Sequence, residues 1–212
     1  MLADLVPVTQ TVAGSYVLVV HPSFPASDLR GFIEAARRSP GRYSYGSFGS
    51  GSGPHLAMEL LKAQAGLFIL HVPFRGAAPA LQELVAGRLD MAFDTTFAAL
   101  PHIRAGKLKA IAVGGARRVD ALPDVPAVAE TLPGFETDGW QGIFAPAGTA
   151  APVIARVASE VAAALRDPEL MRTIAQLGFR TVASSPADFA ATVRDDHAKW
   201  SRVIRERKIK AD

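Results

Sequence analysis

The sequence predicts an α/β protein, one alternating strand–helix block followed by a helical C-terminal part. Three observations lead there. Between Ser15 and Gly115, short β-branched runs alternate with segments whose apolar residues recur at helical spacing. The connections between these segments are short, the pattern of a parallel sheet covered by helices on both faces. From Ala151 onward the chain reads as helical throughout.

The elements follow in order. "SYVLVVHP" predicts a strand that starts at Ser15 and is stopped by Pro22. Ser27 or Asp28 can cap the next helix, in which Leu29, Phe32, Ile33 and Ala36 share a face, and Pro40-Gly41 ends it. "YSYGSF" reads as a strand, "GSGS" as a loop, and Pro54 to about Ala65 as an amphipathic helix ended by Gly66. "LFILHVPF", "LDMAFDT" and "LKAIAVGG" are strands, separated by the helices "GAAPALQELVAG" and "FAALPHIRAG". A Pro-rich passage from Ala116 to Gly139 leads into "WQGIFAPAG", the last predicted strand. Three helices follow, each with a Pro near its first turn, where the missing N–H costs nothing.

Composition narrows the function classes. With 49% hydrophobic and 20% charged residues, the 212-residue chain can bury a sizeable core. The absence of cysteine removes disulfides, thiol catalysis and Cys-based zinc sites but leaves the compartment open. No apolar run approaches the ~18 residues of a spanning helix. "MLADLVPVTQTVAGSYVLVV" lacks a basic segment followed by a long apolar core, so it does not read as a signal peptide. Net charge is +3, and no basic stripe with interleaved aromatics runs through the body, which argues against nucleic acid as a partner.

The strongest local signal is "YSYGSFGSGSGPH". A strand passing through a Gly/Ser loop into a helix start presents free backbone N–H groups and the positive end of the helix dipole. Hydroxyls of Ser47, Ser50 and Ser52 would add donors, making a pocket for a carboxylate or phosphate. The bland alternative is a flexible turn. Named phosphate motifs fail: Pro54 stands where the third Gly of G-x-G-x-x-G belongs, and no Gly-Lys-Ser/Thr is present. The glycines and serines are also out of phase for a G-x-S-x-G nucleophile elbow.

Two further strand ends add candidates. Arg75, with Gly76 opening the next helix, can pair with a carboxylate or remain a solvated cation. Asp94 and Thr95 end "DMAFDT", and Asp94 can contact a ligand or cap the following helix. In a parallel sheet, ligands lie outside the carboxyl ends of strands, so these ends converge on one crevice. His55 lies in the first helical turn beside the loop, and His71 reads as a core or rim residue. The five histidines show no metal-ligand spacing, so neither a metal nor a cofactor is expected. No nucleophile, base and orienting group assemble, so no catalytic residue is assigned.

"YSYGSFGSGSGPHLAMELLKAQAG", "HVPFRGAAPALQELVAGRLDMAFD", "LPHIRAGKLKAIAV", "ALPDVPAVAETLPGFE", "WQGIFAPAGT" and "KWSRVIRERKIKAD" resemble, in order, the substrate-binding proteins of tripartite tricarboxylate transporters, the Bug family. The resemblance implies a type II periplasmic-binding-protein-like α/β fold. It further implies a periplasmic, non-enzymatic protein that holds a small organic carboxylate and delivers it to membrane permease subunits. It covers nearly the whole chain but only the C-terminal two-thirds of such proteins. The family's signal peptide, first-lobe strand and Pro-Gly-Gly carboxylate loop have no counterpart in the sequence.

On that resemblance, residues 1–19 are a remnant of lobe 1 and the hinge, and 20–138 are a complete ligand-binding lobe 2. Residues 139–212 are a hinge strand and helices returning to lobe 1, with their apolar faces lacking a sheet. The implied ligand residues are Ser47, Gly49, Ser50, Gly51, Ser52, His55, Arg75, Gly76, Asp94 and Thr95, with Gln141 near the hinge. "FRG" stands where the family commonly has Tyr-Lys-Gly, keeping the cation and losing a phenol hydroxyl. Two other readings remain: an α/β enzyme using the Gly/Ser loop for a phosphorylated substrate, and a truncated remnant that no longer binds. The particular carboxylate and the oligomeric state are not legible.

Overall fold

The computed structural model describes residues 4–210. The chain divides into two compact units, Met1–Gly14 with Gly139–Ser201, and Ser15–Asp138 with Arg202–Asp212. Strand β1, Leu5–Val20, runs through the first boundary, so it is longer than the run from Ser15 that the sequence suggests.

The unit built on Ser15–Asp138 contains α1 (Leu29–Arg38), β2 (Ser44–Ser47), α2 (Gly53–Ala65), β3 (Leu70–Pro73) and α3 (Ala77–Val85). β4 (Met91–Thr95), α4 (Thr96–Arg104) and β5 (Lys109–Val113) complete its alternation. Its strand order is β3-β2-β4-β1-β5. β2 is parallel to both β3 and β4, as the alternation predicts. β1 is a correction: Tyr16–Val20 run antiparallel to β4 and Val17–Val20 antiparallel to β5. The wholly parallel sheet therefore fails at its interior strand. Alternation of strand and helix dictates direction only for strands joined by crossovers, and β1 enters from the other unit without one.

Helices cover both faces. Leu18, Tyr45, Met91 and Phe93 face Phe32, Met58 and Leu61 of α1 and α2, while Val17, Val19 and Ala92 face Leu81, Leu84, Ala99 and Leu100 of α3 and α4. Each large apolar side chain buried this way contributes roughly 1.5–3 kcal/mol. Asp28 is the cap of α1, its Oδ1 accepting from the Gly31 N–H at 2.8 Å, and Leu29, Phe32, Ile33 and Ala36 are its buried face. Gly66 ends α2 in the left-handed conformation at φ 64°, where Gly carries no Cβ penalty.

The unit built on Gly139–Ser201 contains most of β6 (Asp138–Pro146), α5 (Ala151–Ala164), α6 (Pro168–Gln176), β7 (Phe179–Thr181) and most of α7 (Pro186–Arg207). β7 corrects the reading of an all-helical tail: Phe179–Thr181 pair antiparallel with Val12–Gly14 of β1. Three residues are too short to show a period, and Gly178 reads only as a helix stop. Trp140 packs edge-on to Phe189 at 5.0 Å, and its Nε1–H donates to Asp196 Oδ2. Gly142 lies under Phe189, where a Cβ would come 2.2 Å from the ring. α6 buries none of its residues and α5 only Ala158, leaving Val153, Val157, Leu170, Met171 and Leu177 exposed.

Candidate functional site

Because β3, β2 and β4 are adjacent and parallel, their carboxyl ends lie on one edge of the sheet. The Gly/Ser loop follows β2, Phe74-Arg75-Gly76 follows β3, and Asp94-Thr95 ends β4. The structure thus brings ten of the candidate residues together in one unit. Gln141 belongs to the other unit, in β6, where its backbone carbonyl accepts from Thr11 Oγ1 at 3.0 Å.

The loop is an ordered turn built from its own polar groups. Ser47 is fully buried, and its Oγ bonds His71 Nε2 at 2.7 Å, receives the Gly49 N–H at 3.2 Å and lies 3.1 Å from Gly49 O. The Gly51 N–H donates to His55 Nδ1 at 2.9 Å, which requires that nitrogen to be unprotonated. His55 and His71 stack with centroids 3.8 Å apart, and Tyr45 stacks on His71 at 4.9 Å. Ser47 and His55 therefore hold the loop's shape. Gly49 and Gly51 take φ of 123° and 80°, conformations that favour glycine. The Phe74 N–H donates to Ser47 O at 3.1 Å, tying the β3 end to the loop.

Ser52 occupies the N-cap of α2 with extended backbone, yet its side chain makes no capping bond. Its Oγ is buried and has no hydrogen-bond partner among the described residues. Asp94 Oδ2 is in the same state. Asp94 Oδ1 accepts from the Thr95 N–H at 2.6 Å, and burial pushes the carboxyl up to about 7, against those bonds from Thr95. The alternative role for Asp94 as a helix cap falls to Thr95, whose Oγ1 accepts from the Ala98 N–H at 3.3 Å. Arg75 is exposed and joins no ion pair among the described residues. Gly76 caps α3 at φ 111°. Among the described residues no cluster of three His, Asp or Glu could hold a metal.

Two features escaped the sequence. Tyr16 on β1 lies over the helix start, so close that a Cβ on Gly53 would meet its Oη at 2.2 Å. His71 supports the loop from the neighbouring strand, a role visible only once β2 and β3 are paired.

The family model for the tripartite tricarboxylate transporter family receptor matches residues 1–209. A Pseudomonas sp. strain P51 protein, in the tcbD-tcbE intergenic region, is 37% identical over 99% of this chain and 63% of its own length. BugT of Bordetella pertussis is 30% identical over 97% of this chain and 64% of its own. The chain thus spans just under two thirds of the length of these relatives. Among solved structures, an R. palustris protein with adipate superposes with a TM-score of 0.91 at 32% identity, covering 98% of this chain and 70% of that one. MatC of Rhodopseudomonas palustris, with bound malate, gives 0.86 at 30% identity over 94% and 69%.

Proposed function

From its membership of the tripartite tricarboxylate transporter receptor family, to which the match over residues 1–209 shows the chain belongs, we propose that it binds a small carboxylate and passes it on unchanged. The observation that carries this reading is the convergence of three parallel strand ends on a Gly/Ser loop that opens a 13-residue helix. Backbone N–H groups at such a start favour a carboxylate, and each charge-assisted bond is worth about 1.5–3 kcal/mol. The buried, unpartnered Ser52 Oγ and Asp94 Oδ2 at two of these ends also support a ligand there, since buried polar atoms are normally paired. Adipate and malate in the two similar structures point to the same chemical class.

In this reading Ser47 and His55 shape the loop, Gly49 and Gly51 set its turns, and the hydroxyls of Ser50 and Ser52 reach the carboxylate. Arg75 supplies a cation beside Gly76, and Asp94 and Thr95 supply polar contacts. Residues 20–138 form the second lobe of a periplasmic receptor, and permease subunits are its delivery partners. Titration calorimetry with malate, adipate and citrate tests the proposal. At least one is expected to bind, with affinity reduced about tenfold or more in Arg75→Ala. Absence of heat and of a thermal shift with all carboxylates overturns it.

A further inference from the structure

A cavity of about 360 Å³ opens far from the Gly/Ser loop, at the other end of α2. The 13 residues of α2 separate the two by roughly 18 Å at ~1.5 Å per residue. Arg37, Lys62 and Arg207 line the cavity, one each from α1, α2 and α7, together with Pro40, Leu67 and Phe68. None of its lining residues is acidic.

The charges are unbalanced. Glu59, beneath the cavity, takes Lys62 Nζ on Oε1, the Arg207 Nε–H on Oε2 at 2.9 Å and the Tyr45 hydroxyl at 2.7 Å. Arg37 has no such acid among the described residues, and its Nε and Nη2 donate to the Ala65 carbonyl at 2.9 and 2.7 Å. Among the described residues, three cations against one carboxylate leave the cluster two charges positive. Helix C-termini attract cations, which accounts for Arg37 on the last turn of α2. It does not require Lys62 and Arg207 to share one carboxylate beside an open space. Each guanidinium has five N–H donors in a planar fork, more than these bonds use, and that fork matches a carboxylate.

The rim supplies the second half of the argument. Phe68 is 60% exposed, and its backbone carbonyl accepts the Gly41 N–H at 2.9 Å. Its ring sits so close over Gly41 that a Cβ there would lie 2.9 Å from Cε1. An exposed phenyl lining the same cavity as two guanidiniums gives it an amphipathic wall.

We propose that this cavity is a second binding site, for a small carboxylate carrying a flat apolar group. The carboxylate meets Arg37 and Arg207, and the apolar group lies against Phe68 with Pro40 and Leu67. The site is independent of the Gly/Ser loop and of the function proposed for it.

Amide chemical-shift mapping of the whole 212-residue chain, with benzoate and its uncharged counterpart benzamide as probes, tests the proposal. Benzoate is expected to move the amides of residues 37–41 and 66–68, and benzamide is not. Arg37→Gln should weaken benzoate at least fivefold. Phe68→Ser, a change at an exposed side chain that leaves the fold intact, should weaken benzoate and leave acetate unaffected. Benzoate shifts confined to residues 47–55 and 75, equal response to benzamide, or no shifts at all overturn it. Full benzoate affinity in Phe68→Ser excludes the apolar half of the site and likewise overturns it.

Discussion

Asp94 shows how far one side chain's behaviour depends on surroundings that its neighbours in sequence do not reveal. Its carboxyl is buried at the end of β4 and titrates near 7, above the 3.8 of a free Asp. Between those values the folded chain binds the proton that the unfolded chain has released, so stability falls as pH rises from about 4 to about 7 and is level beyond. Asp94→Asn should remove that decline, which amounts to at most about 4 kcal/mol at ~1.36 kcal/mol per pH unit. Urea midpoints at pH 5 and pH 8 for both proteins check it: equal pH dependence in the two would contradict the assignment. Gly53 offers a second case. Gly53→Ala should destabilise by about 1–3 kcal/mol by overpacking against Tyr16, and Tyr16→Leu in the same chain should recover part of the loss. Thermal melts of the single and double variants decide. The cap at Asp28 and the stop at Gly66 were legible because both are local chemistry. The inward turn of Ser47 was not, because its partner His71 lies on another strand.

At the scale of elements, α2 departs most from its sequence. "LAMELLKAQAG" reads as amphipathic, yet its charged residues Glu59 and Lys62 are both buried. Arg207 from the end of α7, 148 positions away, covers Glu59 and completes a Tyr45–Glu59–Lys62–Arg207 network. Burial alone would raise the Glu59 carboxyl, but bonds from Lys62, Tyr45 and Arg207 outweigh it and hold the group below its ordinary range. Burial and the neighbouring Glu59 carboxylate in turn push the Tyr45 hydroxyl far up. A carboxylate with a depressed pKa contributes stability above its unfolded pKa and loses it as pH falls through the folded value. Glu59→Gln leaves Lys62 buried without its counter-charge and should cost about 3 kcal/mol or more near neutral pH. Denaturant unfolding at pH 7 tests this, and a loss under 1 kcal/mol would mean that the network adds little.

At the scale of the whole molecule, α5 and α6 bury little of their apolar surface. Val153 is 52% exposed and Met171 44%, with Val157, Leu170 and Leu177 close behind. Apolar groups exposed in such number favour association. Val153→Lys with Met171→Lys should shift the 212-residue chain toward monomer in analytical ultracentrifugation, with its secondary structure unchanged. An identical sedimentation profile would count against these side chains as the cause. By itself the sequence determined the α/β class, nearly every element and the Gly/Ser loop, because helix period, strand alternation, caps and breakers act within a few residues. Only the tertiary structure decided that β1 runs antiparallel inside the sheet, that residues 179–181 form a strand, and that Glu59 and Lys62 are buried. Those outcomes depend on partners more than a hundred positions away in two cases and some seventy-five in the other, and no local pattern encodes which distant segment arrives.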